Sequence, residues 1–203
     1  MPSTLFYNDL PIDLILHGDI AIDTETMGLN LHRDRLCVLQ LSCGDGNAYL
    51  VKFVDNDYSA PNLKKLLLDK SRQKIFHFAR FDLAAIQKYM GIRLENIFCT
   101  KISSKLVRTY TDYHGLKDLC RDLLSVQISK QQQSSDWGGE ILSGDQIDYA
   151  GSDVLHLHAL REIFIERLKR ENRLEMAKKI FEFLPMRSEL DLSGWNEIDI
   201  FAH

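Results

Sequence analysis

No apolar run in this 203-residue chain approaches the ~18 residues that a membrane-crossing helix needs. Residues 1–10 lack the basic stretch followed by an apolar one that marks a secretory signal. Neither a membrane partner nor export is expected. Cysteine is sparse: Cys37, Cys43, Cys99 and Cys120 are scattered, with no C-x-x-C pair and no histidine at zinc spacing. That excludes a disulfide-dense secreted domain and makes a reduced cytoplasm the default location. An excess of positive charge is also missing, since 25 Lys and Arg face 29 Asp and Glu for a net charge of −4. A protein that coats long nucleic acid by charge alone is thereby excluded. There is no G-x-x-x-x-G-K-[ST] loop and no G-x-S-x-G elbow, so a P-loop triphosphatase and an elbow-type serine hydrolase are poor readings. No internal repeat and no linker rich in Pro, Gly and Ser divides the chain.

What remains suits one domain with a substantial core: 45% hydrophobic and 27% charged residues. Three runs read as strands joined by short loops: residues 19–24 (DIAIDT), 35–43 (RLCVLQLSC) and 48–54 (AYLVKFV). They suggest an antiparallel meander. Residues 62–68 follow Pro61 with helical spacing, 74–78 read as a buried strand, and 81–89 as a helix ending at Gly91. A last short strand is expected at 97–100 and a helix at 115–124. Ser143 and Gln146 form a capping-box pattern that opens a periodic stretch running to about Arg170. A mixed sheet followed by helices is an α/β layer fold. The expected division is a domain over residues 1–185 and a tail over 186–203. The tail carries Leu190, Leu192, Trp195, Ile198, Ile200 and Phe201, too much apolar surface for a solvated end. It packs on its own domain or on another subunit.

Three places carry chemistry. Asp23 and Glu25, in D-x-E at the end of the first of these strands, can both reach one hard divalent cation. Asp82 lies just past a strand at a helix start, where an acid also serves the helix dipole. Tyr149 and Asp153 are four apart and share a helix face among small and apolar neighbours. A packed carboxylate there needs a partner, which a metal ion or an arginine supplies. Taken singly, each has an ordinary explanation: a solvated loop, a capped helix, a core tyrosine.

As an ordered set they resemble the DEDD superfamily of 3′–5′ exonucleases in its tyrosine subclass, and within it the RNase D-like branch. IAIDTETMGL, FHFARFDL and YAGSDVLHL are similar to its three motifs, and HGLKDLCRDLL and SSDW to the helix and loop before the third. The histidine subclass has its histidine five positions before the last Asp; here that position is Asp148, whereas Tyr149 fits the tyrosine subclass. The likeness covers roughly residues 19–168. Too little chain follows for the extra helical domains of RNase D. TYTDYHGLKDLC, ISKQQQSSDW and LDLSGWNEIDIFAH look closest to the small nanoRNase C group, ring-like octamers that hydrolyse very short RNA.

The resemblance implies an RNase H-like mixed sheet flanked by helices and a homo-oligomer, ring-like and octameric. It implies two divalent ions, Mg²⁺ or Mn²⁺, held by Asp23, Glu25, Asp82 and Asp153, with Tyr149 orienting the attacking water. The substrates implied are short RNA oligonucleotides, mainly dinucleotides, cut to nucleoside monophosphates. Met27, Gly28 and Leu29 are candidates for the base pocket, with Leu29 a wedge or ordinary loop packing. His77 and Phe81 are further candidate substrate contacts. Residues 101–130 hold Lys101, Lys105, Arg108, Lys117, Arg121 and Lys130 against three acidic residues, a place for a 5′ phosphate or simply a solvated face. Trimming of longer RNA or DNA ends, and a non-catalytic binding module, are the alternatives.

Overall fold

Six strands form one twisted sheet with helices on it, seen in a computed structural model that describes residues 3–129 and 131–203. The strands are β1 (Ser3–Tyr7), β2 (Ile20–Thr26), β3 (Leu36–Ser42), β4 (Ala48–Lys52), β5 (Lys74–Phe76) and β6 (Ile97–Cys99). Their order across the sheet is β1-β4-β3-β2-β5-β6. The meander expected from the sequence is β2-β3-β4, antiparallel throughout. β5 and β6 extend it in parallel on one side and β1 on the other. Every residue of β3 is buried, which is why its sequence is a continuous apolar run broken only by Gln40 and Ser42.

The helices are α1 (Pro61–Leu68), α2 (Ala79–Met90), α3 (Thr100–Val107), α4 (Leu116–Leu119, continued by a π turn to Leu124), α5 (Gly144–Leu155), α6 (Leu157–Arg170) and α7 (Leu174–Leu190). α5 lies across β1 to β4, whereas α2 packs on β2, β5 and β6 with α7 against it. The core runs continuously through these layers, with Trp137, Phe53, Phe76 and Phe164 among its largest side chains.

Four differences from the sequence reading have local causes. β1 was not expected; it is too short for a clear alternation and is held by five parallel pairings to β4. The strand expected over 74–78 stops at Phe76, because Phe78 turns into the left-handed region at φ 70°. The stretch from Ser143 to Arg170 is two helices, broken at His156 where φ is −103° and ψ −5°. Finally, the expected boundary at residue 185 falls inside α7. Pro185 sits in the helix interior, and the chain continues through Leu190 into a π turn at Asp191–Trp195. The four cysteines are free, and among the described residues no helix is long and apolar enough to cross a membrane.

Candidate active site

Strand alternation puts Asp23 and Glu25 on one face of β2 and Thr24 on the other. Opposite Asp23 on β3 stands buried Gln40, whose side-chain amide donates to Asp23 Oδ2 at 2.7 Å. On the far face, the Thr24 hydroxyl donates to Asp82 Oδ1 at 2.6 Å. One three-residue stretch thus supplies two carboxylates and the anchor of a third.

Asp82 comes from the first turn of α2. The turn into the helix is made at Phe78, a non-glycine residue with φ 70° and ψ 45°, a backbone conformation that side chains other than glycine rarely adopt. Burial pushes the Asp82 carboxyl up to about 7, against the lowering effect of the Thr24 hydroxyl.

α5 supplies the remaining groups. The expected capping box is present: Ser143 Oγ accepts from Gln146 N at 3.2 Å, and Gln146 Oε1 accepts from Ser143 N at 2.9 Å. With its start fixed, the helix places Tyr149 and Asp153 one turn apart on the face toward β2. Gly151 lies between them, and a Cβ there would run into the Ser3 hydroxyl on β1. Carboxylate oxygens of Asp23, Glu25 and Asp153 all lie within 4.8 Å of one another. Burial, and then mutual repulsion with Asp82 and Asp153, drives Asp23 and Glu25 well above the usual carboxylate range. The Tyr149 phenol is also raised, by burial and by Asp153, Glu25 and Asp23, so it keeps its proton. Its ring packs against Trp137 with centroids 6.1 Å apart.

Crowded hard oxygen donors that destabilise each other's charge suit a Mg²⁺ or Mn²⁺ ion, which a single solvated acid would not. The residues present therefore fit the divalent ions that the sequence led us to expect.

All five of these residues line one cleft of about 630 Å³, together with Met27, Gly28, Leu29, His77 and Phe81. Leu29 is 85% exposed on the lip of the cleft, free of packing against the core. Gly28 is required by the loop itself: a Cβ would collide with the Asp34 carboxylate, which Arg33 holds at 2.6 Å. Met27 lies against Gly138, closing the cleft edge onto the SSDW loop. His77 is only partly committed to the sheet. Its Nδ1 lies 2.9 Å from the Thr100 hydroxyl, which is also 3.1 Å from the Phe76 carbonyl.

The basic segment separates sharply. Lys101 and Lys117 line the cleft. Arg108 is buried and bonded to Asp122 at 2.6 Å, half-exposed Arg121 pairs with Asp118 and Asp122, and neither lines the cleft. Ser103 and Ser104 are buried and bonded to Cys99 O and His114 Nδ1. Lys130 lies outside the described residues. Sequence reasoning missed Phe78, which lines the cleft half-exposed with the Lys101 ammonium 4.1 Å from its ring centroid. Its position inside FHFARFDL was the only available signal. Also missed was how the SSDW loop is held: Lys52 and Arg35 donate to the carbonyls of Trp137 and Gly138, and Gln146 donates to Ser135 and Asp136.

Comparison with known proteins agrees with this geometry. A 3′–5′ exonuclease family profile matches residues 8–169. The chain belongs to the 3′–5′ exonuclease family. Structures of Brucella melitensis NrnC, one bound to pGG and one with bound Mg²⁺, are 55% and 54% identical to it. They superpose with TM-scores of 0.96 and 0.95 and cover 100% of this chain and 99% and 100% of theirs. Ribonuclease D of Gluconacetobacter diazotrophicus is 33% identical over 156 residues, which is 77% of this chain but 39% of that protein. The chain thus spans about two fifths of the length of the ribonuclease D relatives it matches. The mixed sheet with flanking helices is the exonuclease fold of these relatives.

Within this exonuclease fold the cleft lies at one end of β2, where β2, α2 and α5 converge. It joins a polar floor of carboxylates to an apolar lip formed by Met27, Leu29, Phe78 and Phe81.

Proposed function

We propose that this chain is a metal-dependent 3′–5′ exoribonuclease that hydrolyses short oligoribonucleotides, chiefly dinucleotides, to nucleoside 5′-monophosphates. The observation that carries the reading is the cluster of Asp23, Glu25 and Asp153 within 4.8 Å, with Asp82 beside it on the floor of the cleft. These four carboxylates would hold two divalent ions, Mg²⁺ or Mn²⁺. Bound there, the ions supply an acidified water and charge neutralisation at the leaving 3′-oxygen.

The protein's own groups do the rest. Gln40 and Thr24 fix the Asp23 and Asp82 carboxylates. Tyr149, which keeps its proton, orients the attacking water from a ring fixed against Trp137. Leu29 wedges against the terminal base, Met27 and Gly28 shape that pocket, and Phe81 and His77 touch the terminal nucleotide. Among the described residues, Lys101 and Lys117 are the lysines on the cleft wall, suited to the substrate's phosphates.

Short substrates are favoured by size and charge. A cleft of about 630 Å³ is in the range of small-ligand sites, and the two lysines on it among the described residues suit one or two phosphates better than a long strand. The similar Brucella NrnC has been solved with pGG. The reading places the protein in the cytoplasm as a homo-oligomer, a ring-like octamer. Support for assembly comes from Trp195, Ile198, Ile200 and Phe201, which are 44–76% exposed at the end of the chain.

The test is turnover of 5′-phosphorylated RNAs from dinucleotide upward, with Mg²⁺ and with Mn²⁺. The dinucleotide should turn over fastest. Strong preference for longer strands would favour end-trimming instead, and binding without turnover would favour a non-catalytic module.

A further inference from the structure

Arg80 stands two residues before Asp82, and on a helix that places the two side chains about 200° apart. Asp82 faces inward to Thr24, and Arg80 faces outward to the C-terminal segment. There its guanidinium forms a fork with Asp191, Nε to Oδ2 at 2.5 Å and Nη2 to Oδ1 at 2.7 Å. The same Nη2 donates to the Asn196 carbonyl at 2.7 Å. The backbone of Arg80 is held as well, since the Ser188 hydroxyl donates to its carbonyl at 3.2 Å. Arg187 reaches Asp191 from the other side at 2.9 Å and donates to the carbonyls of Trp195 and Asn196. Asp191 is 4% exposed, so two guanidiniums share one buried carboxylate.

We propose that Arg80 is a positioning residue of the metal site, through which the segment from Ser188 to Asn196 fixes the first turn of α2 and hence the Asp82 carboxylate. This rests on the reading of Asp82 as a metal ligand. The first turn of α2 needs such a hold. No side chain caps it, and it is entered through the left-handed backbone of Phe78. Strain of that kind persists only where surrounding contacts over-determine it. Thr24 grips the turn from inside by one hydrogen bond to Asp82, and the C-terminal segment grips it from outside by three to the Arg80 guanidinium. A bidentate arginine pair is directional as well as charged, so it fixes rotation of the helix about its axis and not only its distance.

The experiment compares wild type with Arg80→Gln, Arg80→Lys and Asp191→Asn. Mn²⁺ affinity is read by titration calorimetry, kcat and KM on pGG by product analysis, mass by light scattering, and folding by thermal melting. Loss of a group bonded directly to a metal ligand weakens affinity by about 10–100-fold. Arg80 acts on Asp82 through the helix turn alone and should lie at the low end of that range. Arg80→Gln and Asp191→Asn should therefore bind Mn²⁺ at least about tenfold more weakly, with kcat falling alongside and KM within about twofold. Arg80→Lys keeps the charge without the fork and should fall between them and wild type. Folded variants of wild-type mass with unchanged Mn²⁺ affinity and kcat would overturn the proposal, as would losses confined to variants whose mass has changed. If Arg80→Gln fails to fold, Arg80→Lys carries the test, and wild-type affinity there overturns it. Wild-type protein that binds Mn²⁺ without hydrolysing pGG would overturn the functional reading alone, because calorimetry still reads the effect of Arg80.

Discussion

Gln40 and Asp23 face each other across the β2–β3 pair, and the amide of one donates to the carboxylate of the other at 2.7 Å. The bond orients one oxygen of a carboxylate that lines the cleft beside Glu25 and Asp153. Gln40→Leu should keep the sheet and weaken Mg²⁺ or Mn²⁺ binding by about 10–100-fold, the usual effect of removing a ligand's outer partner. Calorimetry on the folded variant checks this, and undiminished affinity would remove Gln40 from the site.

Thr24 performs the matching task for Asp82. Thr24→Val conserves shape but removes a buried hydrogen bond to a carboxylate, at a cost of about 1.5–3 kcal/mol if Asp82 stays ionised. The Asp82 carboxyl, already raised to about 7, should rise further. Activity of the variant should need a higher pH or more metal. A pH–rate profile superimposing on wild type would contradict this.

Without metal the same carboxylates destabilise the fold. An unfolded Asp loses its proton near 3.8, whereas folded Asp82 holds its proton to about 7. Between those values the folded state binds more protons than the unfolded one, so stability falls as pH rises. Asp23 and Glu25, also raised, add to the same slope. In EDTA the melting temperature should drop from pH 5 to pH 7.5. Mg²⁺ or Mn²⁺ should restore it, by more at the higher pH. A flat melting temperature in EDTA would show that burial and mutual repulsion do not raise these carboxyls as described.

Tyr149 and Asp153 can be separated by substitution. Tyr149→Phe keeps the ring against Trp137 and loses only the hydroxyl, so kcat should fall by roughly 10²-fold or more while metal binding stays intact. Asp153→Asn should lower both together. Equal metal loss in the two variants would make Tyr149 structural.

The exposed apolar end gives a prediction about mass. Ile198→Asp with Phe201→Asp leaves the Arg80–Asp191 fork in place and, on the proposed homo-oligomer, should give smaller species in light scattering. An unchanged mass would show that these side chains do not hold subunits together.

Much of this was legible in the chain itself. The meander follows from three apolar runs with turn residues between them, and the capping box at Ser143 was readable because both of its members are local. The carboxylates were legible as a set because their order along the chain resembles three exonuclease motifs, although Asp23, expected at a strand end, lies in the middle of β2. What escaped depended on distant partners. Phe78 departs from its strand because α2 must start there, and nothing within FHFARFDL states the sign of φ. Arg108 looked like a phosphate ligand until Asp122, fourteen residues on, was found to occupy it. Helix α7 runs through Pro185 because its flanks pack on α2 and β6, which overrides the usual reading of proline as a stop.

Gly151 has a meaning beyond close packing. A glycine inside a helix costs about 1 kcal/mol relative to alanine, so its place in α5 is not a matter of helix preference. The clearance it leaves is taken up by the hydroxyl of Ser3, on a strand that lines no part of the cleft. The depth at which Asp153 hangs over Asp23 and Glu25 is therefore set from behind, by how far the helix backbone can sink toward β1. A single methyl group at residue 151 would act as a shim, lifting one ligand away from the others while leaving every chemically active side chain in the molecule unchanged.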